Sequence, residues 1–98
     1  MEQPGSVHSS IWRKLTNSLL PTVLEVVNES HLHAHHQAMR NVDSSETHFR
    51  VSIISDEFEG KTLMQRHRLV YSILSEELSG GVHALTIKAK TPKEVATS

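Results

Sequence analysis

Thr47-His48-Phe49-Arg50-Val51-Ser52-Ile53-Ile54-Ser55 (THFRVSIIS) is the stretch that decides the fold. Phe49, Val51 and Ile53 alternate with His48, Arg50 and Ser52, and a strand turns successive side chains to opposite faces. The pattern predicts a half-buried strand with one apolar face and one polar face. The apolar face needs other elements packed against it.

Downstream, Asp56 to Gly60 (DEFEG) reads as a turn, and Lys61 to Ser79 carries Leu63, His67, Val70, Leu74 and Leu78 at helical spacing. This predicts the longest helix of the chain, stopped by Gly80 and Gly81. Val82 to Lys90 (VHALTIKAK) alternates again, with His83, Leu85, Ile87 and Ala89 on one side and Lys88 and Lys90 on the other. Upstream, Ser9 and Ser10 offer an N-cap to a short helix carrying Ile11, Trp12, Leu15 and Leu19, which Pro21 closes. Thr22 to Asn28 (TVLEVVN) reads as a first strand. Between it and THFRVSIIS, Glu29 to Glu46 is polar, lacks a sustained period and is longer than most connections in a compact domain.

The order helix, strand, long loop, strand, helix, strand predicts an α/β (α+β) domain, a three-stranded mixed sheet with helices packed on one face. Residues 1–10 read as a flexible N-terminus, 11–90 as the domain and 91–98 as a tail. With 98 residues there is room for one core. Hydrophobic residues at 37% and charged residues at 21%, grouped in patterned runs, argue for a globular chain.

No stretch approaches the roughly 18 to 20 apolar residues of a membrane span, and Met1 to Ser10 lacks a basic or apolar leader region. Cytoplasm or nucleus is the expected location, with the mitochondrion left open. A net charge of −1 withholds the overall positive field that drives sequence-independent nucleic-acid binding. The chain has no cysteine and eight histidines, so a disulfide, a Cys-type zinc knuckle and a complete iron-sulfur site are all excluded. Any soft-metal site must be built from histidine or shared with another chain.

His31, His33, His35 and His36 crowd the long loop. Imidazole binds Zn, Cu, Ni and Fe, and an extended segment places His31, His33 and His35 on one side. A solvated, His-biased loop with weak metal affinity accounts for the same residues, because a tight site needs ordered ligands. His67, inside the apolar stripe of the helix, reads as a hydrogen-bonded packing residue. Its neighbours Arg66 and Arg68 stand about 200° apart around a helix and form no common patch. His83 opens the last strand beside a glycine turn, where it reads equally as a partner-reaching residue or as a half-buried edge residue. His48 reads as exposed on the polar face of its strand. No G-x-S-x-G, H-E-x-x-H or GxxxxGK[ST] motif supports an enzyme.

Taken together, Glu46-Thr47-His48-Phe49-Arg50-Val51, Phe58-x-Gly60 leading into Arg66-His67-Arg68-x-Val70-Tyr71, Glu76-Glu77-Leu78 and Val82-His83-Ala84-Leu85 resemble the BolA-like proteins, from about Ile11 to Val95. The resemblance implies a fold similar to the type II KH topology, αββαβ. It also implies a non-catalytic partner of a monothiol glutaredoxin, monomeric alone and heterodimeric in the complex. The two would share a [2Fe-2S] cluster, with glutaredoxin and glutathione supplying sulfur and this chain supplying histidine. The histidine of the V-H-A-L block carries over onto His83. The second family ligand, a loop His or Cys, falls on His33 by counting from Asn28-Glu29-Ser30, with His35 and His31 as alternatives. Arg66, His67 and Arg68 are implied to be structural or partner-facing.

The competing expectation is a nucleic-acid-binding regulator. KH-like folds clamp nucleic acid with a GXXG loop, but Gly60 is followed by Lys-Thr-Leu and no second glycine. Lys88, Lys90 and Lys93 remain as a candidate edge patch.

Overall fold

The computed structural model describes residues 5–30 and 46–97. The chain runs α1 (Ser6–Leu19), β1 (Val23–Asn28), β2 (His48–Ile54), a 3-10 turn at Asp56–Phe58, α2 (Leu63–Ile73), α3 (Ser75–Ser79), β3 (Ala84–Lys90) and α4 (Pro92–Thr97). This is the expected mixed α+β architecture. The sheet order is β1-β2-β3. β1 runs antiparallel to β2 with Val26 opposite Val51, and β2 runs parallel to β3 with Val51 opposite Ile87.

The alternation of β2 does what its sequence requires. Phe49, Val51 and Ile53 are buried while Arg50 on the opposite face is exposed. They meet Ile11, Leu15 and Leu19 of α1, Val70 of α2 and the fully buried Phe58 in one core. Each such side chain withdrawn from water contributes about 1.5–3 kcal/mol.

Several boundaries differ from the sequence reading. Residues 6–10, expected to be flexible, form the first turn of α1. The cap lies upstream of Ser9 and Ser10, at Gly5, which has no side chain to offer the free amides. Glu46 serves them from a distance, accepting hydrogen bonds from Val7 N–H at 3.2 Å and His8 N–H at 2.9 Å. The expected long helix is interrupted at Leu74 (φ −101°, ψ 21°) between α2 and α3, so among the described residues α1, with 14 residues, is the longest helix. Residues 91–98, expected as a tail, contain α4, opened by a reciprocal cap in which Thr91 and Glu94 bond each other's backbone amides.

The predicted stripe Leu63-His67-Val70-Leu74 is also displaced. Leu63 and His67 are exposed, and the buried face runs through Arg66, Val70 and Leu74. Arg66 can lie inside because its guanidinium donates to Lys61 O at 2.9 Å and Ala89 O at 3.0 Å and pairs with Glu94. Glu77 of α3 is buried for a similar reason. Ser10 donates to its carboxylate and Lys14 sits 2.9 Å away, tying α3 to α1. Burial pushes this carboxyl up, but the hydrogen bonds from Ser10 and Lys14 outweigh that and hold it below the ordinary carboxylate value.

Candidate functional site

The register brings three chain ends to one edge of the sheet. Asn28 ends β1 opposite Phe49, and His48, which begins β2, lies beside Ala84, which begins β3. Just beyond β1, Asn28 Oδ1 accepts from Ser30 N–H at 2.9 Å, an Asx-type turn that carries the chain across the edge. Ser30 is buried, and its Oγ accepts from Thr47 N–H at 2.8 Å and His48 N–H at 3.0 Å. The chain thus leaves β1 and re-enters β2 at one pinned point.

His83 is delivered to the same point. Gly80 caps α3, and Gly81, at φ 138°, adopts a backbone that side chains with a Cβ rarely adopt. Val82 then buries its side chain in the core, leaving His83 exposed. Its amide donates to Thr47 O at 2.8 Å. The rings of His48 and His83 approach with centroids 6.3 Å apart, tilted by 51°. His48 is half-buried, with Nδ1 2.8 Å from Thr47 Oγ1. The expectation that His48 is merely exposed is corrected: the parallel β2–β3 register makes it the neighbour of His83.

His31, His33, His35 and His36 lie outside the described residues. The segment holding them is attached at Ser30 on one side and Glu46 on the other, and Ser30 is bonded to Thr47. Arg66 is structural, in the interior. His67 and Arg68 are exposed on α2, where they line an open groove with Leu63, Met64, Tyr71 and Ser72. Leu63, Met64 and Tyr71 are among the large apolar side chains left in contact with solvent.

His8, unremarked in the sequence, is structural. Its Nε2 lies 2.9 Å from Val26 O, which can only accept, so Nε2 carries the proton. Its ring tilts against Phe49 at 6.4 Å. Among the described residues, no three His, Cys, Asp or Glu side chains converge on a metal position. His48 and His83 therefore offer at most part of a ligand set. Among the same residues no helix is long and apolar enough to cross a membrane.

This fold has known counterparts. The family profile described as BolA-like protein matches residues 15–94, so the chain belongs to the BolA-like family. It is 52% identical to mouse BolA-like protein 1 over 90 residues, covering 92% of this chain and 61% of that protein. It is 50% identical over 93 residues to SufE-like protein 1, chloroplastic/mitochondrial, of Arabidopsis thaliana, covering 93% of this chain and 25% of that protein. The chain thus spans less than two thirds of the length of either relative. It is also 44% identical over 89 residues to the Escherichia coli DNA-binding transcriptional regulator BolA, covering 90% and 78% of the two chains. Among solved structures, the BolA domain of SufE1 from Arabidopsis thaliana superposes with a TM-score of 0.82 at 47% identity, covering 94% of this chain and 99% of that one.

Proposed function

We propose that this chain is a non-catalytic partner of a monothiol glutaredoxin and holds the nitrogen side of a shared [2Fe-2S] cluster, for cluster assembly, transfer or iron regulation. The observation that carries the reading is the position of His83. It is exposed and tied through Thr47 to Ser30, the residue from which the His31–His36 segment departs. An extended chain spans at most about 3.6 Å per residue, so three residues beyond Ser30 cover no more than about 11 Å.

The donor set fits half of such a centre. It supplies imidazole and, with no cysteine in the chain, no thiolate, so sulfur must come from glutaredoxin and glutathione. A cluster held partly by imidazole supplies a higher reduction potential than an all-thiolate one, and its ligation is sensitive to protonation between about pH 5 and 8. The role of this chain's residues is to present His83 and one loop histidine on a rigid edge. The name of the Arabidopsis thaliana relative, chloroplastic/mitochondrial, favours an organelle as the place where this role is carried out.

The test is anaerobic cluster reconstitution of this chain with a monothiol glutaredoxin and glutathione, read by visible absorption and circular dichroism. A heterodimer spectrum distinct from that of glutaredoxin alone, lost or altered in His83→Ala and compared across His33→Ala, His35→Ala and His31→Ala, supports the reading. A spectrum identical to that of glutaredoxin alone, with no complex formed, removes it.

The name of the Escherichia coli relative favours a second reading, a nucleic-acid-binding regulator. Lys88 and Lys90 are exposed on β3 and would supply phosphate contacts. That reading predicts DNA or RNA binding by the chain alone that weakens steeply as salt is raised.

A further inference from the structure

The backbone of β3 turns alternate residues to its two sides. Ala84 N–H donates to Thr47 O and Lys90 O accepts from Ser55 N–H, so the even-numbered residues of the strand face β2 and the odd-numbered ones face outward. Two side chains of α2 reach that outer side. Tyr71 O–H donates to Leu85 O at 3.4 Å, and Arg66 Nη1 donates to Ala89 O at 3.0 Å. Between them, the N–H and C=O of Ile87 meet no partner among the described residues. We propose that the groove between α2 and the outer side of β3 receives an extended acidic peptide segment of another protein, which pairs its main chain with Ile87.

The two faces of β3 define what such a segment carries. Leu85, Ile87 and Ala89 pack toward the core, and Leu63 of α2, 67% exposed, lines the same groove as Ile87. Lys88 and Lys90 are exposed on the opposite face and form the rim. Among the described residues the groove has one carboxylate, Glu94, and it is already held by Arg66 and by the Thr91 amide. A strand laid beside Ile87 turns every second side chain toward Leu63 and the intervening ones toward the two lysines. Alternating apolar and acidic residues therefore match both faces, since opposite charges facing each other across neighbouring strands attract and like charges repel. Nucleic acid would engage the lysines but leave Leu63 and the Ile87 backbone without a counterpart.

The groove lies toward the Lys90 end of β3, remote from His83, and uses none of the loop histidines. It thus goes beyond the glutaredoxin reading and does not depend on it.

The full chain, labelled with 15N and without any other protein, is titrated with an end-blocked octapeptide of alternating Val and Glu while amide shifts and exchange rates are followed by NMR. The expected result is that the Ile87 amide shifts and exchanges more slowly at saturation, while the His48 and His83 amides stay in place. Lys88→Glu combined with Lys90→Glu should weaken binding about 10-fold. A block peptide with all Val before all Glu, and an alternating peptide N-methylated at every second residue, should both bind far more weakly. Equal affinity for the block peptide, or lysine shifts with no change at Ile87, overturns the proposal. So does an oligothymidylate that moves the same Ile87 amide more tightly than the peptide, which assigns the groove to nucleic acid. An Ile87 amide that moves on dilution of the peptide-free chain assigns it to a second copy and likewise overturns the proposal. The decisive readings come from the unaltered chain, so misfolding of the lysine variant would not blunt the test. Failure to assemble a cluster with glutaredoxin would leave this result untouched.

Discussion

Arg66 and Glu94 form a two-pronged ion pair, Nη1 to Oε1 at 2.8 Å and Nη2 to Oε2 at 2.9 Å, joining α2 to α4 across the end of β3. The fork matches the planar carboxylate, and a lysine could not reproduce it. The pairing, reinforced by the Thr91 amide, pulls the Glu94 carboxyl down to about 2. Because the folded value is depressed, the unfolded chain binds more protons as pH falls from about 4.3. The contribution is fully present above that value and is lost as pH falls through about 2. Glu94→Gln should lower the urea midpoint at pH 7 and converge with wild type near pH 2.

Arg66→Ala removes more than this pair. It leaves Ala89 O, an interior acceptor, without the guanidinium donor and opens a gap beside Phe58, whose ring lies 5.9 Å from the guanidinium carbon. A loss of about 2–3 kcal/mol in urea unfolding is expected, with Arg66→Lys recovering only part of it.

Glu46 accepts the Val7 and His8 amides of the first turn of α1, reaching that turn from the far side of the long connection. Glu46→Ala should cost about 1 kcal/mol, within the range of lost helix caps. Amide exchange should quicken at Val7 and His8 while Leu15 and Leu19 stay protected.

Ser30→Ala deprives the Thr47 and His48 amides of one shared acceptor. The expected destabilisation is about 2 kcal/mol in chemical unfolding. The resonances of His48 and His83 should broaden or shift more than those of the α1 core residues.

His67→Ala and Arg68→Ala act on exposed positions and should change stability by less than about 0.5 kcal/mol. If these residues face a partner, each substitution weakens glutaredoxin binding without altering the thermal melt. Unchanged affinity in both variants removes α2 from that interface.

β2 and β3 were legible because each carries its own two-residue period, and β1 because TVLEVVN is β-rich and mostly apolar. The buried face of α2 was not, since the reading tracked apolar residues while the fold buries Arg66 by supplying three acceptors from Lys61, Ala89 and Glu94. The α4 start had a signal that was passed over: Thr91-Pro92-Lys93-Glu94 is a capping Thr, a first-turn Pro and a Glu three residues on from the cap. His83 could be singled out only through the V-H-A-L block. The pairing of His48 with His83 depends on a parallel register between strands separated by two helices, which no local pattern encodes. The same holds for Glu46 at α1 and Glu77 beside Lys14.

A three-stranded sheet has one interior strand and two borders. Here β2 holds the interior place, and among the described residues β3 pairs only with it. A bare border of this kind invites another molecule to add a strand and continue the ladder. Lys88 and Lys90, both exposed on β3, oppose that growth, because two copies meeting there would bring like charges into register. The lysines that leave room for a phosphate partner thus also guard the protein against polymerising through its own sheet.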